Sequence, residues 1–262
     1  ARAVRRILPV AVTLTWLGPF SLDAYAPGFP DIQREFATSA AAVQATLATT
    51  LVGLALGQLA VGPLSDRFGR RRPLLVGMIG YVVASVLCSV AWSVELLIAA
   101  RFLQGFAAAT GIAIARAIAR DVHSGAQLAR FYSLLAAATA VAPMLAPILG
   151  AGVLESGLSW RWIFGVTLAL GVVALGMVVL ALPETHPRWL GTDPTEPDDA
   201  GPASNPRAAT LWTLLRRRNV TTSALVLGLC GGAMIAHLAG LSFFLQDELE
   251  AAFAICRQRE FR

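Results

Sequence analysis

The stretch Gly62-Pro63-Leu64-Ser65-Asp66-Arg67-Phe68-Gly69-Arg70-Arg71-Arg72 lies between two long apolar segments. Glycine adopts backbone conformations that other residues avoid, so Gly62 and Gly69 predict a tight turn. Asp66 lies four residues before Arg70, and this spacing allows an ion pair near the ends of the flanking helices. The stretch therefore predicts a short, strongly basic connection between two helices that cross a membrane.

The composition of the whole chain also indicates a membrane protein. Of its 262 residues, 56% are hydrophobic and only 14% are charged, and the mean hydropathy is +0.65. So few charges cannot cover a water-soluble surface. All 21 basic residues are arginines, and all but Arg101 fall outside the apolar segments, so the net charge of +5 reflects membrane topology rather than a nucleic-acid surface. The three cysteines have neither the number nor the spacing of a disulfide framework or a metal site.

Seven apolar segments are long enough to be membrane helices, because about 20 residues are needed to cross a hydrocarbon core of about 30 Å. They cover residues 7–27, 41–64, 73–92, 94–115, 131–154, 162–182 and 220–245. Prolines and acidic residues between residues 184 and 218 predict a cytoplasmic linker. We therefore predict an all-α integral membrane protein with four parts: a six-helix N-terminal bundle (1–183), a linker (184–219), the first helix of an incomplete C-terminal bundle (220–246) and an atypical tail (247–262).

The arginines predict the orientation of the bundle. With the N-terminus inside, the inner segments hold 15 arginines, whereas the outer loops among the first six spans hold only Arg34 and Arg161. The positive-inside rule therefore places the N-terminus in the cytoplasm. Trp92, Trp160 and Trp162 then fall at the outer boundary of the membrane, where an indole ring suits an interface that is apolar on one side and wet on the other.

Two ionisable residues lie within the apolar spans, Asp23 in the first and Arg101 in the fourth. An isolated charge in the membrane costs at least about 3 kcal/mol, so each needs a partner or a water-filled cavity. Counting helical rise places both about 10 Å from the outer end, so we predict that they face one cavity and interact directly or through one water. Two interpretations remain: an ion pair that only orders the bundle, or a proton-linked site.

Other polar positions are candidates for the cavity wall, namely Tyr25, Gln44 and Gln104. For Tyr25 the alternative is an interface anchor, and for the two glutamines it is hydrogen bonding between packed helices. Gly53 and Gly57 form a GxxxG spacing, which predicts a close approach of two helices.

With these residues in view, the chain resembles the major facilitator superfamily, and within it the drug:proton antiporters of the bicyclomycin and chloramphenicol resistance (Bcr/CflA) branch. The stretch 62–72 looks like the superfamily loop GxLaDrxGrr between its second and third helices. The segment Leu22-Asp23-Ala24-Tyr25-Ala26-Pro27-Gly28-Phe29-Pro30 is similar to the first-helix motif of the branch, and Arg101-Phe102-Leu103-Gln104-Gly105 resembles its RxxQG motif. In the fifth span, Ala142, Ala146-Pro147 and Gly150-Ala151 occupy the places of the antiporter motif gxxxGPxxGG, with three glycines replaced by alanine.

The resemblance implies a role for each of these groups. It implies that Asp23 couples proton and substrate movement and that Arg101 faces the central cavity. The fifth-helix motif of Ala146, Pro147 and Gly150 implies export. A cytoplasmic gating loop is implied for Gly62, Asp66, Arg67, Gly69 and Arg70, together with Asp121, which belongs to an Arg-Asp pair placed to meet Arg70.

The function expected from this resemblance is efflux of a drug-like small molecule across a bacterial inner membrane, driven by protons and without a cofactor. The expected partners are the drug, protons and the lipid bilayer. Members of the family have two six-helix bundles, so the chain is expected to be a truncated or frameshifted product or a partial sequence. The alternatives are an inert or regulatory membrane fragment and a nutrient importer. An enzyme or a metal site is not expected, because the three histidines, His123, His186 and His237, lie near no nucleophile or metal cluster.

Overall fold

A computed structural model describes residues 2–182 and, further along the chain, residues 221, 222, 225, 226, 228 and 229, all six of which are helical. The predicted linker (184–219), most of the predicted seventh span (220–245) and the predicted tail (247–262) lie outside the described residues, and these divisions remain predictions.

The described chain is helical and contains no strand, which confirms the all-α class. Within the described part of the chain, six helical spans are long and apolar enough to cross a membrane. The first span consists of α1, a short 3₁₀ turn and α2, and each of the other five is a single helix. The elements are α1 (Arg2–Asp23), the turn (Ala26–Gly28), α2 (Phe29–Glu35), α3 (Ala40–Phe68), α4 (Arg71–Ser89), α5 (Val94–Val122), α6 (Gly125–Glu155) and α7 (Arg161–Ala181).

The helix boundaries differ from those predicted from hydropathy. Helices α3, α5 and α6 contain 29, 29 and 31 residues, more than the roughly 20 that cross a hydrocarbon core. These helices continue into polar residues. The apolar pattern therefore ends before the hydrogen-bonded helix does. Serine side chains cap two of these helices: Ser39 accepts from the backbone N–H of Ala42, and Ser93 accepts from that of Leu96.

The turn predicted at Gly62 and Gly69 forms at Gly69 only, so the prediction for Gly62 is wrong. Helix α3 continues through Gly62 and Pro63 to Phe68. Pro63 removes only one helical N–H donor, and the Ser65 hydroxyl donates to the Gly62 carbonyl at 2.9 Å. At Gly69 the backbone adopts φ 83°, a left-handed conformation that favours glycine.

Helix α5 is the centre of the bundle and packs against α1, α3 and α4. Its contact with α3 is closest where glycines face backbone. A Cβ atom at Gly53 would lie 2.2 Å from the Phe102 carbonyl oxygen, and one at Gly105 would lie 2.1 Å from the Thr50 carbonyl oxygen. A Cβ atom at Gly57 would lie 2.6 Å from the Phe106 oxygen, so the close approach predicted for Gly53 and Gly57 is confirmed.

The bundle has two ends, named here by their ion pairs. At the Glu35 end, α2 stops and α3, α5 and α7 begin. At the Arg70 end, α3, α5 and α7 stop. Two apolar clusters fill the interior, one toward each end. Between the two clusters, buried polar side chains lie on four helices: Ser21 on α1, Ser85 on α4, Arg101 and Gln104 on α5, and Thr167 on α7.

Candidate functional site

Arg101 is the largest fully buried side chain of the described bundle, with 0% of its surface exposed. Its Nη1 donates to Gln104 Oε1 at 2.6 Å, and its Nη2 donates to the Ser21 carbonyl oxygen at 2.9 Å. The guanidinium carbon lies 4.0 Å from the centroid of the Tyr25 ring and 5.6 Å from that of Phe164. A buried cation is therefore held by two neutral acceptors and two aromatic rings.

The end of α1 explains why the Ser21 carbonyl is available to Arg101. Helix α1 stops at Asp23, so carbonyls of its last turn lack the N–H partners that a continuing helix would supply. A cation at the C-terminal end of a helix is also favoured by the helix dipole. A desolvated cation over an aromatic ring gains about 2 kcal/mol. These interactions together offset part of the cost of placing Arg101 in the membrane interior.

A hydrogen-bond network continues from Gln104 into two further helices. Its Nε2 donates to Ser85 Oγ at 2.9 Å and to Thr167 Oγ1 at 3.4 Å. Ser21, whose carbonyl binds Arg101, also shares a hydrogen bond with the Tyr81 hydroxyl through its own side chain. The network ties α1, α4, α5 and α7 together around the guanidinium. No pattern in the sequence singles out Tyr81, Ser85 or Thr167, because residues with a hydroxyl group are common throughout membrane helices.

Asp23 lies beside this network but outside its hydrogen bonds. It is the last residue of α1 and is partly exposed. Among the described residues, no ion pair within 4.0 Å joins Asp23 to a cation. Arg101 donates instead to Gln104 and to the Ser21 carbonyl, so the expected direct contact is absent, and a cavity shared by Asp23 and Arg101 remains a prediction.

The structure corrects the predicted cavity wall. Arg101 does not face open space, since the Tyr25 ring covers it. Tyr25 and Gln104 are also buried, at 1% and 0% exposure, and the Tyr25 hydroxyl is 2.9 Å from Thr46 Oγ1. Only Gln44 of the three candidates is exposed, near the start of α3. A polar residue in an apolar helix signals that it needs a partner, but not whether that partner is water or protein.

The fifth-helix motif lies against the segment that follows Asp23. A Cβ atom at Gly150 would lie 1.9 Å from the Ala24 carbonyl oxygen and 3.6 Å from Pro27 Cδ. Ala146 is fully buried, and Pro147 lies inside α6. The small residues of the motif therefore let α6 approach the end of α1 closely.

The predicted ion pairs at the Arg70 end are confirmed. Arg70 Nη1 lies 2.6 Å from Asp66 Oδ1, and Arg70 Nε lies 2.8 Å from Asp121 Oδ2. Burial alone would lower the pKa of Arg70, but hydrogen bonds and the charges of Asp121 and Asp66 outweigh it and raise the pKa. Arg67 instead lies over the Phe68 ring, 5.4 Å from its centroid. The gating role of this cluster remains a prediction.

A second cluster, at the Glu35 end, was missed by the sequence reasoning. Trp160 Nε1 donates to Glu35 Oε2, and Arg161 donates to Glu35 Oε1 and to the Ala91 carbonyl. Trp160 begins α7 but is only 2% exposed, so its indole is enclosed by protein, whereas Trp92 and Trp162 are 76% and 59% exposed and open to an interface. The available signal was an acidic residue, Glu35, and a basic residue, Arg161, each next to an aromatic residue in outer segments that carry few charges.

Comparison with known proteins decides the family. The sequence model of the Major Facilitator Superfamily matches residues 11–255. This chain belongs to the major facilitator superfamily. Its similarity to the uncharacterised MFS-type transporter YdgK of Bacillus subtilis is 40% identity over 235 residues, covering 89% of this chain and 56% of YdgK. The bicyclomycin resistance protein homolog of Haemophilus influenzae is 38% identical over 174 residues, covering 66% of this chain and 43% of that protein.

The superfamily fold is also found among solved structures. A D-xylose-proton symporter superposes with a TM-score of 0.62 at 18% identity, covering 72% of this chain and 50% of the symporter. This likeness shows the fold alone. The chain spans about half the length of the curated relatives it matches. Among the described residues of this superfamily member, no three His, Cys, Asp or Glu side chains are grouped as metal ligands.

Proposed function

We propose that this sequence forms the N-terminal bundle of a transporter that exports a drug-like small molecule across the bacterial inner membrane in exchange for protons. The N-terminus lies in the cytoplasm, residues 1–183 form the bundle, and residues 220–246 begin a second one. Membership of the superfamily supports transport, and the printed name of the bicyclomycin resistance relative supports a drug-like substrate. The arginines concentrated at the Arg70 end support the orientation.

The observation that carries this proposal is the relation between Asp23 and Arg101. Asp23 is partly exposed and has no cation within 4.0 Å in the described structure, and Arg101 on α5 is held by the end of α1, the helix that Asp23 terminates. The Nε atom of Arg101 is buried without a hydrogen-bond partner among the described residues. The guanidinium therefore retains donor capacity that a carboxylate can use.

This arrangement supplies the two states that proton coupling requires. In the described state Arg101 is held by neutral groups, and Asp23 is open to protonation. In a second state the guanidinium reaches Asp23 and favours the ionised carboxylate, so the proton is released. A ligand or the opposite bundle shifts the balance only by contacting the two states differently. Gln44, exposed near the start of α3, is the proposed substrate contact on this bundle.

The Arg70 cluster is the proposed gate of the transporter. It joins the end of α3, the start of α4 and the end of α5 through two carboxylates. Superfamily transporters alternate by rocking one bundle against the other. Breaking and remaking these ion pairs during rocking stabilises one arrangement relative to the other.

Substitution of Asp23 by asparagine tests the proposal. Everted membrane vesicles containing the full-length protein are energised, and drug-dependent proton movement is followed with a pH-sensitive dye. Asp23→Asn should abolish that movement without reducing membrane insertion, because the amide keeps the shape of the side chain but cannot release a proton. The matched control is Asp31→Asn, since Asp31 lies on α2 and pairs only with Arg34 at the surface.

Two results would contradict the proposal. Unchanged export by Asp23→Asn would assign Asp23 a structural role. Drug or nutrient uptake down the proton gradient, in place of export, would reverse the proposed direction.

A further inference from the structure

The cluster at the Glu35 end joins three parts of the chain through one carboxylate. Trp160 Nε1 donates to one Glu35 oxygen, and Arg161 Nη1 donates to the other. Arg161 Nη2 also donates to the Ala91 carbonyl in the connection between α4 and α5. The Arg161 guanidinium lies 4.4 Å from the Trp160 ring centroid. Glu35 therefore fixes the end of α2 to the start of α7.

A continuous row of aromatic rings leads from this cluster to Arg101. The centroid of Trp160 lies 6.0 Å from that of Phe164 in an edge-to-face arrangement, and the centroid of Phe164 lies 5.6 Å from that of Tyr25. Arg101 lies over both Tyr25 and Phe164. Trp160, Phe164 and Tyr25 are each at most 2% exposed. Such closely packed rings have no free volume in which one can move without its neighbour.

The backbone provides a second connection between Glu35 and Tyr25. Tyr25 is followed at once by the 3₁₀ turn and by α2, whose last residue is Glu35. Phe29, the first residue of α2, packs its ring against that of Tyr25 with centroids 4.9 Å apart. Holding the end of α2 therefore also limits the positions available to the Tyr25 ring beneath Arg101.

We propose that Glu35 is a positioning residue for the site of Asp23 and Arg101, acting through Trp160, Phe164 and Tyr25 to hold the Tyr25 ring beneath the guanidinium. This inference rests on the proposed function for its transport readout. Glu35 touches neither Arg101 nor Asp23, and its effect is exerted through the aromatic row. Loss of Glu35 frees Trp160 and the end of α2, and the guanidinium then loses its fixed aromatic support.

A double-mutant cycle in the full-length protein tests this inference. Glu35→Ala should lower the drug-export rate by about tenfold, whereas in a Tyr25→Leu background the same change should lower it by less than about twofold, because the ring through which Glu35 acts is already absent. Asp31→Ala is the matched control, because it removes a carboxylate from the same helix. This carboxylate pairs with Arg34 and does not touch the aromatic row. Glu35→Gln retains an acceptor for Trp160 and should restore most of the rate.

An accessibility measurement tests the same inference without transport. In a protein whose native cysteines are serine, Asp23→Cys is labelled with a maleimide. Glu35→Ala should speed labelling by about fivefold as the segment loosens, and Asp31→Ala should not, since local opening is controlled by the contacts that hold a segment. The inference would be overturned if Glu35→Ala and Asp31→Ala are labelled at the same rate. It would also be overturned if the fold-losses in export of Glu35→Ala and Tyr25→Leu multiply in the double mutant. Absent drug-dependent proton movement in the unmutated protein would instead overturn the proposed function.

Discussion

Two buried arginines, Arg70 and Arg101, are held by opposite kinds of partner within the same bundle. Arg70 is 8% exposed and lies against Asp66 and Asp121, whereas Arg101 is 0% exposed and contacts neutral acceptors and aromatic rings. The two Arg70 partners differ in exposure: the Asp66 side chain is 67% exposed, whereas that of Asp121 is only 11% exposed. The two arginines thus differ in charge balance more than in burial.

The difference follows from where each arginine lies relative to the ends of the helices. At the Arg70 end, water lowers the desolvation cost of charged side chains and weakens their attraction, so a charged cluster can form and break. In the interior, neutral partners accept from two nitrogens of the guanidinium while leaving its charge uncompensated, and Asp23 is not bonded to it. In the proposed mechanism, this neutral set of partners leaves the Arg101 charge available to a second group.

Removing the interior charge should have the largest effect. Arg101→Gln should reduce drug export by about a hundredfold, because Asp23 loses the cation that favours its ionised form and the Ser21 carbonyl loses a charged donor. The measurement is the export rate per inserted protein in energised vesicles. Arg116→Gln, an exposed arginine on the same helix, should retain wild-type export. Equal losses in both variants would show that the charge of Arg101 has no special role.

Removing a carboxylate at the Arg70 end should lower the free energy of unfolding, and the loss should be larger for the less exposed carboxylate. Asp121→Asn should destabilise the bundle by about 2 kcal/mol, since it leaves a largely buried guanidinium without one charged partner. Asp66→Asn should cost less than about 1 kcal/mol, because an exposed ion pair is screened by water. Denaturant titration in detergent micelles measures both values. A larger cost for Asp66→Asn would contradict the contrast between the two carboxylates.

Giving Arg101 a carboxylate should make it resemble Arg70. Gln104→Glu places an acidic group at the atom that accepts from Arg101 Nη1 at 2.6 Å. The local charge is then neutralised, so export should fall by about tenfold while the bundle stays folded, because a paired charge no longer acts on Asp23. Export and thermal unfolding are measured on the same preparation. Undiminished export would mean that Arg101 acts by shape and not by its charge.

The sequence predicted the pairs whose partners are close in sequence or belong to a recognisable motif. Asp66 and Arg70 are four residues apart, and Asp121 was matched to Arg70 by its motif. It also predicted that Asp23 and Arg101 share a depth, since helical rise converts residue number into distance. It failed for Tyr25 and Gln104, which were expected at a cavity wall, because the direction in which a side chain points depends on how its helix is rotated against its neighbours.

By itself, the sequence determined that this chain forms helices that cross a membrane, that it carries charges in their interior, and to which superfamily it belongs. Hydropathy and motif spacing are properties of short stretches of sequence. Because a segment in the bilayer must satisfy its own backbone hydrogen bonds, a long apolar stretch predicts a membrane helix. Only the tertiary structure decided that Gln104, Ser21 and Tyr25 surround Arg101, and that Glu35, Trp160 and Arg161 form a cluster. The contacts of Arg101 with Ser21 and of Arg161 with Glu35 join residues 80 and 126 positions apart, and such distances close only when the helices pack.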